Sequence, residues 1–297
     1  MDVVASMGMM RTEREMLDLI MRTAQNDERI CAVIMNGSRV NPNAPRDIFQ
    51  DFDIVFVVTA VTPFRQNPNW IDQFGELMIL QTPDEMEEPS AGDDDPFAYL
   101  MQFADGNRID LTLYPIAKID QLAKDSLSLL LLDKDGIIEP FPPPNESSYL
   151  PKPPTAKEYF NRCNEFWWIC TYVAKGLWRE ELTYAKGFEG VVREQLLKML
   201  TWHIGIKTQF AQNSGKMGKY FKQYLTPEQW QMLQKTYADA DFDNCWDALE
   251  VMGRLFRETA VSVATHFNFN YPHADDKKVT THLNHVRSLP KDAKGMY

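Results

Sequence analysis

Seven prolines between residues 140 and 154 divide the sequence into two parts with different hydrophobic periodicity. Proline fixes the backbone angle φ and has no N–H to donate, so neither a regular helix nor a central strand continues through such a segment. A chain of 297 residues is long enough for two domains. We therefore predict an extended linker near residue 150, with an N-terminal domain over residues 1–150 and a C-terminal domain over residues 151–297.

The first part is predicted to form a mixed β-sheet flanked by helices. Thr12 and Glu15 have the spacing of a capping box, which predicts a helix that continues to about Asn26. Short apolar segments bounded by turn residues then predict strands. These strands cover residues 29–36, 52–58, 77–81, 98–104, 108–114 and 127–132, and Asp105-Gly106-Asn107 is predicted as the turn of a hairpin.

The second part repeats apolar residues at intervals of three and four, which is typical of long helices. The predicted helices cover residues 155–182 and 192–210, a segment beginning at Thr226-Pro227, and residues 246–267; the core face of the first is Phe160, Cys163, Trp167, Cys170, Ala174 and Leu177. The polar segment after Tyr271 is predicted to be loosely held. The fold class is therefore α+β, a mixed β-sheet domain followed by a helical bundle domain.

Composition limits the partners of this chain. It has 31 Lys and Arg against 42 Asp and Glu, a formal net charge of −11, which argues against general nucleic-acid binding and favours a cationic partner. No apolar run reaches bilayer length and no signal-peptide pattern opens the sequence, so we expect a cytoplasmic protein without a membrane partner, as a monomer or weak dimer. The four cysteines are predicted to be reduced core thiols.

Three acidic residues and a Gly-Ser turn form the most informative pattern. A predicted strand runs into Gly37-Ser38, and the next strand opens with Asp51 and Asp53. Residues i and i+2 of a strand point to the same face, so these two carboxylates project together and need a counter-charge. Asp110 supplies a third acid within a later apolar strand. A hard divalent cation such as Mg²⁺ prefers this kind of oxygen ligand.

An Asp-x-Asp pair alone is more often the end of a turn than a metal site. The Gly-Ser turn twelve residues upstream changes that balance, because Gly37 allows close approach of a phosphate that the groups around Ser38 can hold. Together with Asp110, the pattern favours metal-assisted phosphoryl or nucleotidyl transfer.

The same residues resemble the signature of the DNA polymerase β-type nucleotidyltransferases. Several longer segments resemble the aminoglycoside 6-adenylyltransferases, also called streptomycin adenylyltransferases, over nearly the whole chain. They are NDERI (26–30), GSR (37–39), FQDFDI (49–54), IDLTL (109–113), LLDKD (131–135), CNEFWW (163–168), TYVAKGL (171–177) and the region around residues 202–204. The resemblance identifies the predicted sheet domain as a nucleotidyltransferase domain and the helical domain as its substrate-binding domain.

This resemblance implies transfer of AMP from Mg-ATP to the 6-hydroxyl of streptomycin, release of pyrophosphate, and antibiotic resistance. It implies that Asp51 and Asp53 hold Mg²⁺ and that Asp110 completes the acidic triad, either as a metal ligand or as the base that receives the hydroxyl proton. The nucleotide-binding residues would be Gly37, Ser38 and Arg39. Two alternatives are a nucleotidyltransferase that modifies a protein or RNA, and a non-catalytic nucleotide-binding regulator.

The helical part offers further candidates for substrate binding. Glu165, Trp168 and Tyr172 share one stripe of the first long helix, where a carboxylate suits a guanidinium and aromatic faces suit sugar rings; a structural role among core aromatics is equally compatible. A glycine-bearing basic segment supplies Lys216 and Lys219 for the β- and γ-phosphates and Tyr220 for stacking, or is simply a solvated loop. We expect ATP and the antibiotic to meet between the two halves.

Three other groups of residues lie outside these patterns. An acid-rich loop could attract a cationic antibiotic, although most such loops are only solvated; its acids are Asp84, Glu85, Glu87, Glu88, Asp93, Asp94 and Asp95. His282 and His285 have no cysteine partners nearby in the sequence, so we do not predict a zinc site there. His203 lies on an apolar helix face and is predicted to be a buried structural residue.

Overall fold

The computed structural model of the protein describes residues 9–86, 92, 95–122 and 125–297. The chain divides into two compact units, Met1–Ser148 and Tyr149–Tyr297. The first contains the β-sheet and the second consists of helices, which confirms the predicted α+β class. No helix in the part of the chain that the structure describes is long and apolar enough to span a bilayer.

The first unit begins with helix α1 (Glu13–Asn26), whose Thr12–Glu15 capping box forms as predicted. Helix α2 (Thr62–Arg65) is a single turn. The six strands are β1 (Ile30–Asn36), β2 (Phe52–Val58), β3 (Leu77–Gln81), β4 (Phe97–Phe103), β5 (Arg108–Pro115) and β6 (Ser128–Asp133). The predicted strands therefore all form, with bounds shifted by at most one residue, and the turn between β4 and β5 contains Gly106 at φ +90°.

The strands form one mixed sheet in the order β3-β4-β5-β2-β1-β6. β2 and β5 are parallel neighbours, whereas the other pairs are antiparallel. One face of β2 packs into the main core of this unit through residues such as Phe52 and Phe56. The opposite face carries Val55 and Val57, which belong to a smaller apolar cluster. Successive side chains of a strand point to opposite faces of the sheet, and this alternation determines which face the polar residues at the start of β2 occupy.

The second unit is built from six helices in its described residues. They are α3 (Ala156–Trp178), α4 (Leu182–Lys207), α5 (Phe221–Tyr224), α6 (Pro227–Lys235), α7 (Phe242–Phe267) and α8 (His273–Ser288). The third helix start at Thr226 forms as predicted, and α3 is also capped by Thr155, which the sequence analysis did not predict. Phe160 does not belong to the core face of α3, because 52% of its surface is exposed.

The segment after Tyr271 is not loosely held, and that prediction was wrong. α8 covers sixteen of its residues, and Asp276 on α8 is only 4% exposed. The Asp276 carboxylate accepts hydrogen bonds from Arg257 Nε at 2.5 Å and from the Tyr271 hydroxyl at 2.8 Å. A buried ion pair of this kind fastens a polar helix to its neighbours, which apolar periodicity alone does not reveal.

Candidate active site

The three predicted acids lie on two adjacent parallel strands. Asp53 of β2 is the direct register partner of Asp110 on β5. Asp51 and Asp53 have the same parity as Val55 and Val57, so all four side chains face away from the main core. The sheet therefore brings Asp51, Asp53 and Asp110 to one face, as the sequence predicts.

The pKa values of two of these acids respond to this crowding. The pKa of Asp53 is raised from 3.8 to about 6, first by burial and then by the negative charges of Asp110 and Asp51. Burial also raises the pKa of Asp51, against the attraction of Arg108. Burial and mutual repulsion therefore disfavour the charged form of these carboxylates, and a nearby cation would stabilise that form.

Arg108, which the sequence analysis did not single out, neutralises part of this charge. Its Nε and Nη2 donate to the two oxygens of Asp110 at 2.7 and 2.8 Å, and Nε lies 3.7 Å from Oδ2 of Asp51. The Asp110 carboxylate raises the pKa of Arg108, so the guanidinium stays charged. The Arg-x-Asp spacing on one predicted strand could have indicated this ion pair, because residues two positions apart lie on the same face of a strand.

Gly37 fits closely against Asp53. β1 ends at Asn36, the antiparallel register partner of Asp53, and Gly37 follows at φ +77°. A Cβ atom at Gly37 would lie 2.1 Å from Oδ2 of Asp53. The Gly37 N–H donates to the carbonyl of Leu127 at 3.1 Å, which holds the turn to the chain just before β6. Glycine is therefore required here for backbone conformation and for space.

Ser38 and Arg39 complete the turn in different ways. Ser38 is partly exposed and remains able to face a ligand. Arg39 is only 8% exposed; its guanidinium donates to the carbonyls of Asp51 and Gln50 at 3.0 and 2.6 Å and lies 3.6 Å from the centre of the Phe52 ring. These bonds hold the turn against β2, and a contact between Arg39 and the nucleotide stays a prediction.

Carboxylate chemistry at this face suits Mg²⁺. Within the described ranges, no group of three or more Asp, Glu, His or Cys side chains is arranged to enclose a metal ion. Arg108 donates hydrogen bonds to both oxygens of Asp110. Three carboxylates with incompletely balanced charge are nevertheless the hard-oxygen donors that Mg²⁺ prefers, so the residues fit the ion once Arg108 releases an oxygen.

In the second unit, Glu165, Trp168 and the partly buried Tyr172 lie along one stripe of α3. Glu165 is exposed, and Trp168 is 58% exposed. The indole N–H of Trp168 donates to the Tyr172 hydroxyl at 3.1 Å. Tyr172 packs edge-on against Phe188 of α4, with 5.1 Å between ring centres. The Lys175 ammonium lies 5.0 Å from the centre of the Tyr172 ring, so Trp168 and the Glu165 carboxylate are the more accessible groups of this stripe.

The predicted basic segment is a strained loop after α4. Lys216 and Lys219 are exposed, and the Lys219 ammonium lies 5.1 Å from the centre of the Tyr220 ring. Tyr220 is partly buried, and its ring lies within 3 Å of the position of a Cβ atom on Gly215. Lys216 is thus the residue of this segment most free to meet a phosphate, while the role of Tyr220 stays a prediction.

The remaining acid-rich and histidine-containing segments have local partners. Asp84 accepts from the Ala98 N–H at 2.7 Å, Glu85 lies 3.6 Å from Arg65, and Asp95 lies 2.7 Å from Lys118. The other acids of that loop, Glu87, Glu88, Asp93 and Asp94, lie outside the described residues. His282 pairs with the Tyr297 hydroxyl at 2.7 Å, and His285 stacks on the Tyr297 ring.

His203 and the cysteines are buried as predicted. His203 is 7% exposed, and burial lowers its pKa from 6.5 to about 4, with a smaller effect from Lys207. Its Nε2 lies 3.2 Å from the amide of Gln229, and its Nδ1 has no hydrogen-bond partner among the described residues. Cys31, Cys163, Cys170 and Cys245 are free and buried.

Comparison with known proteins gives consistent matches. The family model described as streptomycin adenylyltransferase matches residues 10–286. Proteins named aminoglycoside 6-adenylyltransferase are similar over about nine-tenths of both chains: 43% identical in Campylobacter jejuni (90% of this chain, 93% of the relative), 40% in Bacillus subtilis strain 168 (90% and 95%) and 35% in Staphylococcus aureus (89% and 94%). The crystal structure of an aminoglycoside 6-adenyltransferase from Bacillus subtilis is 34% identical, with a TM-score of 0.46, and covers 94% of this chain and 100% of that chain.

Proposed function

The chain belongs to the streptomycin adenylyltransferase family, and from this membership we propose that it transfers AMP from Mg-ATP to the 6-hydroxyl of streptomycin. Pyrophosphate is the second product. The modified antibiotic would lose its activity, so the enzyme would confer resistance. The observation that carries the proposal is the convergence of Asp51, Asp53 and Asp110 beside the Gly37 turn.

The sheet unit carries the chemistry in this proposal. Asp51 and Asp53 would hold Mg²⁺. Asp110 would join them when Arg108 no longer donates a hydrogen bond to one of the Asp110 oxygens. The bound metal supplies charge stabilisation at the reacting phosphate and lowers the pKa of the attacking hydroxyl. The Gly37-Ser38 turn would hold the phosphate chain through its backbone and hydroxyl groups. Arg39 keeps the turn in register with β2 through its bonds to the carbonyls of residues 50 and 51.

Asp110 is the best candidate for the residue that receives the hydroxyl proton. A base needs a free oxygen within hydrogen-bond distance of the proton it removes. Arg108 occupies both oxygens of Asp110, so a shift of the guanidinium toward Asp51, 3.7 Å away, would free one of them.

The helical unit would recognise the antibiotic. Glu165 offers a carboxylate for a guanidinium group, and Trp168 and Tyr172 offer aromatic faces for the sugar rings. Lys216 would contribute positive charge for the nucleotide phosphates. The net charge of −11 is consistent with attraction of a polycationic substrate and unfavourable for RNA.

The test is a pyrophosphate-release assay with purified protein, ATP, Mg²⁺ and a panel of aminoglycosides that includes streptomycin. We expect release to depend on the antibiotic, and mass spectrometry of the product to show one added adenylyl group on streptomycin. A parallel reaction with streptomycin whose 6-hydroxyl is blocked should give no product. Release that needs no antibiotic, with adenylylated protein or RNA instead, would replace this function with the alternative nucleotidyltransferase activities.

A further inference from the structure

A groove of about 1100 Å³ lies within the helical unit. Its walls are the proline-rich segment 149–154, the first two turns of α3, the middle of α4 and the loop 213–218. Every residue that lines it belongs to residues 149–237, so its shape is a property of this unit alone. The volume is sufficient for a ligand of nucleotide size.

The groove is basic although the chain is acidic. Its basic lining residues are Lys152, Arg162, Arg193, Lys198 and Lys216, and its acidic ones are Glu158 and Glu194. Concave surfaces lined by one sign of charge concentrate the potential and attract the opposite ion. The groove therefore favours an anion and disfavours the cationic antibiotic, which separates it from the Glu165 stripe in function.

The two acids of the groove already have partners. Glu158 accepts hydrogen bonds from the N–H and hydroxyl of Thr155 at 2.7 and 2.8 Å. These bonds lower the pKa of Glu158, and the positive charges of Lys198 and Arg162 lower it further. Glu194 lies 3.8 Å from Arg162. The two carboxylates therefore balance only part of the charge of the five basic residues.

The arginines and lysines of the groove differ in availability. Arg162 donates to Gln195 at 2.6 Å, and Arg193 donates to Glu189 at 2.7 Å. Lys152, Lys198 and Lys216 are exposed, and none of them forms an ion pair within the described part of the chain. These three exposed ammonium groups can bind phosphate oxygens, because the lysine ammonium acts as a compact positive charge.

The loop that contributes Lys216 is held in an unusual conformation. Gly215, Met217 and Gly218 have φ values of +77°, +56° and +76°. Met217 is 85% exposed, and its backbone lies in the left-handed region that costs a non-glycine residue about 1 kcal/mol or more. A Cβ atom at Gly218 would lie 2.6 Å from the Phe221 ring, so packing imposes this shape. Such strain is common where a loop is shaped for a ligand.

We propose that this groove binds a diphosphate group, with Lys152 and Lys198 as contacts additional to Lys216. The ligand is either the β- and γ-phosphates of ATP or the free pyrophosphate product, which share the same chemistry. This inference rests on the proposed function for the identity of the ligand. It extends that function by assigning two lysines, one in the proline-rich segment and one on α4, that no motif in the sequence indicated.

Titration of the full-length protein with inorganic pyrophosphate, ATP and AMP, each followed by isothermal calorimetry, tests the groove. Lys198→Gln and Lys152→Gln should each weaken pyrophosphate binding by about fivefold or more, with a larger loss in the double variant. AMP lacks the β- and γ-phosphates, so its binding should stay within twofold of wild type. Lys157→Gln, an exposed lysine on α3 that does not line the groove, is the matched control and should leave all three affinities unchanged.

The two phosphate sources give different results. Loss of ATP and pyrophosphate binding together supports a site for the nucleotide, whereas loss of pyrophosphate binding alone supports a site for the released product. Unchanged binding of both ligands in the double variant overturns the groove assignment, even if streptomycin is adenylylated normally. Conversely, weakened pyrophosphate binding in a protein that adenylylates no aminoglycoside would support the anion groove and reject the proposed function.

Discussion

Gly37 and Asp53 lie so close that a single added carbon atom on Gly37 would stand 2.1 Å from Oδ2 of Asp53. The glycine follows the last residue of β1, and the aspartate is the second residue of β2, the antiparallel neighbour of β1. The turn that is predicted to hold a phosphate is thus built directly against a carboxylate that is predicted to hold a metal.

Gly37→Ala should abolish most adenylyl transfer. The added methyl group displaces Asp53, and the φ of +77° costs a non-glycine residue about 1–2 kcal/mol. Gly136→Ala is the matched control, because Gly136 has φ +64° in the same unit and no heavy atom within 4 Å of the added carbon. Unfolding in urea should show the backbone cost in both variants, with a further loss of stability from the displaced Asp53 and loss of transfer only at Gly37. Equal activity in the two variants would contradict the close packing of Gly37 and Asp53.

Asp53→Asn should raise the free energy of unfolding at pH 7.5 in metal-free buffer while removing transfer. The Asp53 pKa is about 6 in the folded protein and about 3.8 when unfolded. The unfolded state loses its proton first, so stability falls as pH rises from 3.8 to 6 and stays lower above pH 6. The wild type should therefore be less stable than the variant by about 1–3 kcal/mol at pH 7.5.

The control for Asp53→Asn is Asp72→Asn, which removes one charge from an exposed position of the same unit. It should show neither the gain in stability nor the loss of transfer. Addition of Mg²⁺ should raise the melting temperature of the wild type more than that of Asp53→Asn. An equal response to Mg²⁺ in the two proteins would remove Asp53 from the predicted metal ligands.

Arg108→Gln should strengthen binding of a divalent cation. The substitution frees both oxygens of Asp110 and removes the positive charge that competes with the metal. Titration with Mn²⁺, followed by electron paramagnetic resonance, should show an affinity at least about threefold higher than in wild type. Arg14→Gln, at a highly exposed position of α1, controls for the change in net charge. Weaker Mn²⁺ binding would mean that Arg108 orients the carboxylates for the ion.

His203 should make the helical unit sensitive to acid. Its pKa is about 4 when buried and about 6.5 when unfolded, so only the unfolded state gains a proton as pH falls from 6.5 to 4. Stability should therefore decrease by about 2–3 kcal/mol over this range. Six of the seven tryptophans lie after residue 150, so tryptophan fluorescence during urea unfolding reports mainly on this unit. His203→Gln should flatten the pH dependence, and an unchanged slope would rule out His203 as its source.

Glu165→Gln should weaken streptomycin binding by about 1.5–3 kcal/mol if Glu165 pairs with a guanidinium group. The substitution removes the charge and keeps the shape. ATP affinity should stay unchanged, and Glu228→Gln, at an exposed position of α6, is the control for loss of one negative charge. Equal weakening of the binding of streptomycin and ATP would indicate a structural role for Glu165. Unchanged binding of both substrates would place Glu165 outside the site and favour the acid-rich loop for recognition of the cation.

The sequence by itself determined the elements that depend on neighbouring residues. The capping box at Thr12 and the helix start at Thr226 form as predicted, because each needs only residues three positions apart. The common face of Asp51 and Asp53 follows from strand geometry in the same way. The family resemblance is confirmed by a match that covers residues 10–286.

Contacts between distant segments were decided only by the tertiary structure. The burial of Arg39 depends on the path of residues 40–51, which returns the chain so that carbonyls of residues 50 and 51 meet the guanidinium. α8 is polar in sequence, yet Asp276 is buried because Arg257 and Tyr271 surround it.

The basic groove is the clearest case of a site that the sequence did not predict. Lys152, Lys198 and Lys216 are separated by 46 and 18 positions in the sequence, and each alone resembles an ordinary surface lysine. Only the packing of α3, α4 and the loop 213–218 brings them to one cavity. Local backbone rules act over a few residues, whereas charge recognition depends on distances in space, and these are set by the fold as a whole.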